Sequence, residues 1–314
     1  MRKWAVAATL MSVASACAAG SDEAPGDDDD DDGGPGGSVS STATGGGGMG
    51  GNPSASTVSV GVGGAGGGGD VDTEVFGHSG ATLFRLDPVT NDITAVADFS
   101  GCNDANILDI ALDRDSTIFA VSRRGLFRVD RTTAACTEVN EFPGGGQEYP
   151  DSLAFVPAGT LDPTEEALVG YEGDDYVRID TTTGAISVVT TNALGNGLIS
   201  SGDIVSVIDG PTYLTVKNDF CSCSDSCPPD RIVQVDPADG RIVADFGTVD
   251  YPNVFGVSFW AGDVFGFSCN GELFRVTFGD SSVTTNLINF PSAPPGLAFF
   301  GAGSSTAAPV APPR

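Results

Sequence analysis

Histidine occurs once in the 314 residues, at His78, and basic side chains are scarce: 14 Lys and Arg stand against 42 Asp and Glu, a formal net charge of -28. A single histidine leaves almost no material for histidine metal cages, Ser/His/Asp triads or Cys/His dyads, and its place among apolar strand residues reads as packing. So acidic a chain has no surface for nucleic acid or for anionic lipid, both of which need basic patches. Apolar runs are short as well. Trp4 to Met11 cannot cross a bilayer as a permanent helix, which takes about 20 residues, and from Ala18 to Asp70 almost nothing could build a core. That stretch is mostly Gly, Ser, Thr and Pro with six consecutive aspartates, Asp27 to Asp32, and reads as a solvated spacer rather than a calcium loop, because no glycine turn or spaced ligand pattern accompanies it.

What is present begins with an export signal over residues 1–17: Arg2 and Lys3, the short apolar run, then small residues up to Cys17. Ala14-Ser15-Ala16-Cys17 resembles the lipobox of bacterial lipoproteins, with Ala14 where that motif prefers Leu. The resemblance implies cleavage before Cys17, lipid attachment to it and a membrane anchor made by acyl chains. Residues 18–70 then become a tether with a reach of roughly 40 Å. Ala18 is not the aspartate associated with inner-membrane retention, so the expected location is the outer membrane, facing the periplasm or the cell surface.

A five-residue pattern recurs through the rest. Leu83-Phe84-Arg85-Leu86-Asp87 returns as Leu126–Asp130, Tyr176–Asp180, Ile232–Asp236 and Leu273–Thr277, at spacings of 43, 50, 56 and 41 residues. That period belongs to a four-stranded propeller blade. Cores such as Ile110-Ala111-Leu112 and Val257-Ser258-Phe259 read as innermost strands, where a small residue between large ones suits crowding near an axis. Phe119-Ala120-Val121 and its counterparts read as second strands, and Phe76-Gly77-His78 matches them. The sequence therefore predicts an all-β, five-bladed β-propeller over residues 71–303. It is closed by a C-terminal strand, Gly296-Leu297-Ala298-Phe299, that completes the N-terminal blade, and residues 304–314 are left as a disordered Pro/Ala-rich tail. The recurring arginines, Arg85, Arg128, Arg178 and Arg275, are expected to pack on neighbouring sheets and meet carboxylates. The aspartates that follow are expected to build turns.

The order Gly-Leu-Ala-Phe, Leu-Phe-Arg-Val-Asp, Thr-Gly resembles the repeat of bacterial propellers of the NHL, virginiamycin-B-lyase-like and gluconolactonase-type groups. Because many functions share that repeat, it implies fold more than activity. The lyase resemblance would require histidines that the chain lacks. A gluconolactonase-like site would need carboxylates and amides converging on a divalent metal at the axis, for which Asp109, Asp151, Asp203 and Asn253 are the weak alternative set.

Six cysteines follow Cys17, an even number in an exported domain, and read as disulfides: Cys102, Cys136, Cys221, Cys223, Cys227 and Cys269. Blade positions pair Cys102 with Cys136. They send one of Cys221, Cys223 and Cys227 to Cys269, with a four-cysteine zinc site as the competitor. Long connections, Gly144 to Pro150, Asn192 to Ser200, Asn218 to Asp230, Tyr251 to Asn253 and Pro291 to Pro295, all open on one end of the ring. That end carries Gln147, Glu148, Tyr149, Glu172, Asp174, Asp175, Asp219, Phe220, Asp225 and Glu272 as the expected binding face. The reading is a monomeric, non-catalytic binding or scaffold protein without cofactor, taking a protein, glycan or cation at that end. A metal-dependent lyase or lactonase is the alternative.

Overall fold

The computed structural model of the chain describes residues 74–102, 106–141, 147–218, 223, 226–290, 294 and 296–312. Every regular element among them is a strand. β1 (Val75–His78), β2 (Thr82–Leu86) and β3 (Ile93–Asp98) open the fold. Three complete four-stranded sheets follow: β4 (Asp109–Leu112), β5 (Ile118–Val121), β6 (Gly125–Val129) and β7 (Cys136–Glu141); β8 (Ala154–Val156), β9 (Ala167–Glu172), β10 (Asp175–Ile179) and β11 (Ile186–Thr190); β12 (Ile199–Ser206), β13 (Thr212–Lys217), β14 (Arg231–Val235) and β15 (Ile242–Thr248). The next comprises β16 (Val254–Trp260), β17 (Asp263–Ser268), β18 (Leu273–Phe278) and β19 (Val283–Ile288), and β20 (Gly301–Ser304) returns to pair with β1. All sheet pairings are antiparallel. β20, β4, β8, β12 and β16 pack against one another around a central axis, giving the five-bladed propeller predicted from the repeat.

The closing strand is not the one that its pattern suggested. Leu297 and Phe299 precede it, and the pairing partners are Val75 with Ser304 and His78 with Gly301. Crowding decides this: a Cβ on Gly301 would collide with Asp109 Oδ1 and His78 Nε2, one on Gly303 would lie 2.8 Å from Leu112 Cδ1, and Gly256 opposite leaves room only for Ala302, so a strand of Gly, Ala and Ser fits between β1 and the axis. Phe299 instead fills the space between blades, edge-on to Phe84 and Phe267. The segment expected to be a free tail is also packed as far as Ala308. Ser305 bridges to Leu112, the Thr306 carbonyl accepts from Ile208 N–H at 2.8 Å, the Thr306 hydroxyl donates to Glu166, and Ala308 is buried. Small side chains let this stretch lie across the narrow far end of the axis.

Alternation places Phe84 and Leu86 of β2, and Phe127 and Val129 of β6, in the layers between sheets, and turns the intervening arginines outward. Arg85 meets Glu74 at 2.9 Å, Arg178 meets Asp162 at 3.6 Å, Arg275 meets Asp263 at 3.2 Å, and Arg128 lies over the Phe119 ring. The turn aspartates behave as expected: Asp87, Asp130 and Asp180 each accept from the backbone N–H groups two and three residues ahead.

Cys102 is bonded to Cys136, with Cα atoms 5.2 Å apart, tying the entry of the second blade to its outermost strand. Cys223 is bonded to Cys269 across the fourth and fifth blades at a Cα separation of 5.8 Å, and Cys227 is disulfide-bonded too. Cys223 and Cys269, two of the four cysteines that a zinc site would need, are thus paired with each other; Cys221 lies outside the described residues. The Cys102–Cys136 bond spans 34 residues. On chain-entropy grounds Cys136→Ser is expected to lower stability by about 3–4 kcal/mol, read as a shifted urea midpoint in non-reducing buffer. A midpoint equal to that of the parent chain would show that the bridge constrains nothing.

Candidate functional site

Where the chain enters the innermost strands, the axis widens into a funnel of about 400 Å³. Each blade contributes to its wall: Leu108 just before β4, Asp151 before β8, Ser201 and Gly202 within β12, Phe255 in β16 and Phe300 before β20. β12 can present Ser201 and Gly202 because its pairing with β13 is irregular between Ser200 and Ile204, which breaks the strict alternation of the strand. Around this floor stand Arg123, Glu148, Tyr149, Tyr171, Glu172 and Lys217, and the Cys223 end of the cross-blade disulfide. The walls are mainly apolar, with a few polar groups converging, which is the usual make-up of a small-molecule site.

Lys217 is the group that the sequence reading passed over. Apart from Lys3 it is the one lysine of the chain, and it is 8% exposed. Its Nζ donates to the Ser201 carbonyl at 3.3 Å and lies 5.2 Å from the centre of the Phe255 ring. Burial lowers its pKa, while the carboxylates of Asp230 and Asp151 pull the other way. Asp230 is buried behind it, accepting from the Ser201 hydroxyl and, at 2.7 Å, from Val254 N–H. Asp151 opens onto the funnel itself, yet the protein crowded around it raises its pKa against the opposing pull of Lys217 and Arg123. The signal available in the sequence was compositional. A propeller whose other basic residues are all arginine keeps its lone lysine on an innermost-facing second strand.

Below the funnel floor the four residues offered as an axial metal set separate. Asp109 and Asp203, both wholly buried, do meet and share a hydrogen bond. Each also clips two blades together. Asp109 accepts from Ile110 N–H at 2.8 Å and from Leu153 N–H of the next blade at 2.6 Å, while Asp203 accepts from Ile204 N–H at 2.6 Å and from Val257 N–H of the next at 2.5 Å. Burial, and for Asp109 the neighbouring Asp203 charge, raises both pKa values, so the pair holds a proton that free carboxylates would shed. Asp151 faces Lys217 instead, and the Asn253 amide donates to Cys227 Sγ at 3.2 Å. Among the described residues no group of three or more His, Cys, Asp or Glu is arranged to hold a metal ion. Both carboxylate oxygens of each axial aspartate accept from backbone N–H groups.

His78 lies beside this pair. Its Nδ1 donates to the Ser79 carbonyl at 2.8 Å, and its Nε2, wholly buried and 3.9 Å from Asp109 Oδ1, makes no hydrogen bond. Burial lowers its pKa to about 4. Its ring packs edge-on to Phe99, so the packing role read from the sequence holds.

The expected binding face divides. Glu148, Tyr149 and Glu172 line the funnel, with Glu148 held by Arg123 at 2.7 Å and the Tyr149 hydroxyl donating to the Gly184 carbonyl at 2.9 Å. Gln147 is exposed at the same rim. Asp174 and Asp175 also hold the loop into β12: the Asp174 backbone carbonyl accepts from Ala193 N–H, and the Asp175 carboxylate accepts from Asn192 N–H at 2.7 Å. Glu272 accepts from the Ser268 hydroxyl inside its own hairpin. Asp219, Phe220 and Asp225 lie outside the described residues, as do Cys17 and the tether.

No protein-family model matches the chain, and no curated protein sequence matches it. Solved structures of similar outline exist at low identity. A nidogen/laminin complex is 12% identical over 74% of this chain and 98% of the other, with a TM-score of 0.45. A gluconolactonase from Xanthomonas campestris is 14% identical over 72% and 73%, with a TM-score of 0.39. A PQQ-bound aldose sugar dehydrogenase from Streptomyces coelicolor is 14% identical over 68% and 78%, with a TM-score of 0.38. Likeness at this level carries no activity across.

Proposed function

We propose that the chain is an exported, lipid-anchored envelope protein whose propeller binds, without turnover, a small molecule or a projecting group of a protein or glycan in the axial funnel. The observation that carries this reading is the funnel itself: a cavity of about 400 Å³ to which all five blades contribute, with Lys217 and Asp151 brought together on its wall. Carboxylates at the axis, which an enzyme would keep available, are spent on inter-blade hydrogen bonds. Anchoring follows from the lipobox-like Ala14–Cys17 and the long spacer after it. Two measurements test the parts separately. Native mass spectrometry of the chain released from its own envelope is expected to show a bound species that is lost in Glu172→Trp, which fills the funnel from an exposed rim position. Identical spectra for the two chains would remove the funnel as the site. Acyl labelling is expected on the parent chain and not on Cys17→Ser, and membrane release of both alike would remove the anchor.

A further inference from the structure

We propose that Lys217 is a nucleophile that captures a carbonyl-bearing ligand, an aldehyde or a ketone, as a reversible imine in the axial funnel. The inference rests on the binding reading above and names the reactive group of the ligand. Residue choice is the first argument. Every other basic side chain of the propeller is arginine, whose guanidinium stays protonated and has no nucleophilic form at physiological pH, whereas an amine loses its proton readily when buried. A lysine placed only for solubility would stand on the surface, as lysines normally do; Lys217 is 8% exposed and borders a cavity large enough for a small molecule. If its charge served only to balance buried Asp230, nothing would require that it also border the funnel.

The surroundings supply the rest of the chemistry. The Ser201 carbonyl, 3.3 Å from Nζ, and the Phe255 ring fix the direction of the amine, and burial favours its neutral form. Asp151 opens onto the same cavity, and the protein crowded around it raises its pKa against the pull of Lys217 and Arg123, so it gives up a proton at higher pH than an ordinary carboxylate does. In the step itself the Nζ lone pair forms a bond to the carbonyl carbon while the C=O π pair moves to oxygen. One proton passes from nitrogen to that oxygen, giving a carbinolamine. Asp151 then protonates the hydroxyl, which leaves as water as the C=N bond forms, and the Asp151 carboxylate recovers the proton left on nitrogen. The sum is R2C=O plus Lys–NH2 giving R2C=N–Lys plus H2O. No oxidant or metal takes part, and hydrolysis through the open mouth returns the ligand.

The near absence of lysine makes the test clean. The chain made without export, so that residues 1–17 and with them Lys3 are retained, and with its disulfides formed, would be incubated at pH 7 with glycolaldehyde, benzaldehyde or pyruvate in the presence of cyanoborohydride, and the secondary amine located by peptide mapping, with Lys3 as the internal comparison. For at least one probe Lys217 is expected to be labelled about tenfold or more faster than Lys3 in the native chain, with the difference lost in urea. Asp151→Asn should slow labelling at Lys217 by about tenfold or more and leave Lys3 unchanged. Lys217→Arg, which keeps the charge beside Asp230, should abolish it while retaining the parent melting temperature. Labelling of Lys217 no faster than Lys3 with all three probes would overturn the proposal. A probe that equilibrium dialysis shows bound but cyanoborohydride does not trap would also overturn the imine, yet leave the binding reading standing.

Discussion

Asp203→Ala is expected to cost about 3–5 kcal/mol and to lower the melting temperature by roughly 10 °C, the largest effect of any single substitution at the axis. The wholly buried carboxylate accepts from Ile204 N–H in its own blade and Val257 N–H in the next, and it shares a hydrogen bond with Asp109. Alanine strands both backbone donors where water has little access, and each unsatisfied group costs about 1–3 kcal/mol. Asn keeps the shape but offers one acceptor, so Asp203→Asn should fall about halfway between parent and Ala. Asp109→Ala should resemble Asp203→Ala, because Asp109 makes the same kind of clip to Leu153. Since the two carboxyls share a hydrogen bond, the double substitution should cost less than the two single losses added. Melting followed by far-ultraviolet circular dichroism checks the series; a shift below about 3 °C for Asp203→Ala would show that these clips are not what holds neighbouring blades together.

The roles of these residues divide the axis into two levels. At the floor, charge is consumed by structure; above it, Lys217 and Asp151 face a cavity. Sequence alone conveyed the blade count and the turn aspartates, because both follow from a local pattern that recurs every 41 to 56 residues, and the Cys102–Cys136 pairing, because the pattern places both cysteines in one blade. The closing strand was misplaced for a definite reason. Gly301–Ser304 has none of the branched or aromatic residues that mark a strand, and its place is set by the space left beside Gly256, which only the assembled ring defines. The resemblance brought Asp109 and Asp203 to the axis as part of a metal set, but their shared hydrogen bond was hidden, since it joins two blades that are not neighbours in the chain. The acidic loop residues were legible as a set but not as individuals: Asp175 carries the same charge as Glu172, and only the bond that its carboxylate accepts from Asn192 N–H shows that it is engaged in holding a loop.

His78 should give the propeller a pH dependence of its own. An unperturbed imidazole titrates near 6.5, and burial lowers this one to about 4, with the hydrogen bond from Nδ1–H to the Ser79 carbonyl acting the other way. Because the native value is the lower one, the unfolded chain binds the proton first as pH falls. The stabilisation is therefore complete above pH 6.5 and is lost as pH falls through the interval down to about 4, amounting to about 3 kcal/mol. Asp109 and Asp203 act in the opposite sense: their raised pKa values make the native state the better proton acceptor, a contribution present at low pH and lost as pH rises through their native values. A single stability profile mixes the two slopes, so the informative quantity is the difference between the parent and His78→Leu, in which the carboxyl pair is retained. That difference should tilt in favour of His78→Leu by about 3 kcal/mol on going from pH 7 to pH 4, measured by urea unfolding across the range. Parallel profiles would mean that His78 takes up its proton in the native state, and that Asp109, 3.9 Å from Nε2, closes on the imidazolium as an ion pair rather than leaving the ring neutral.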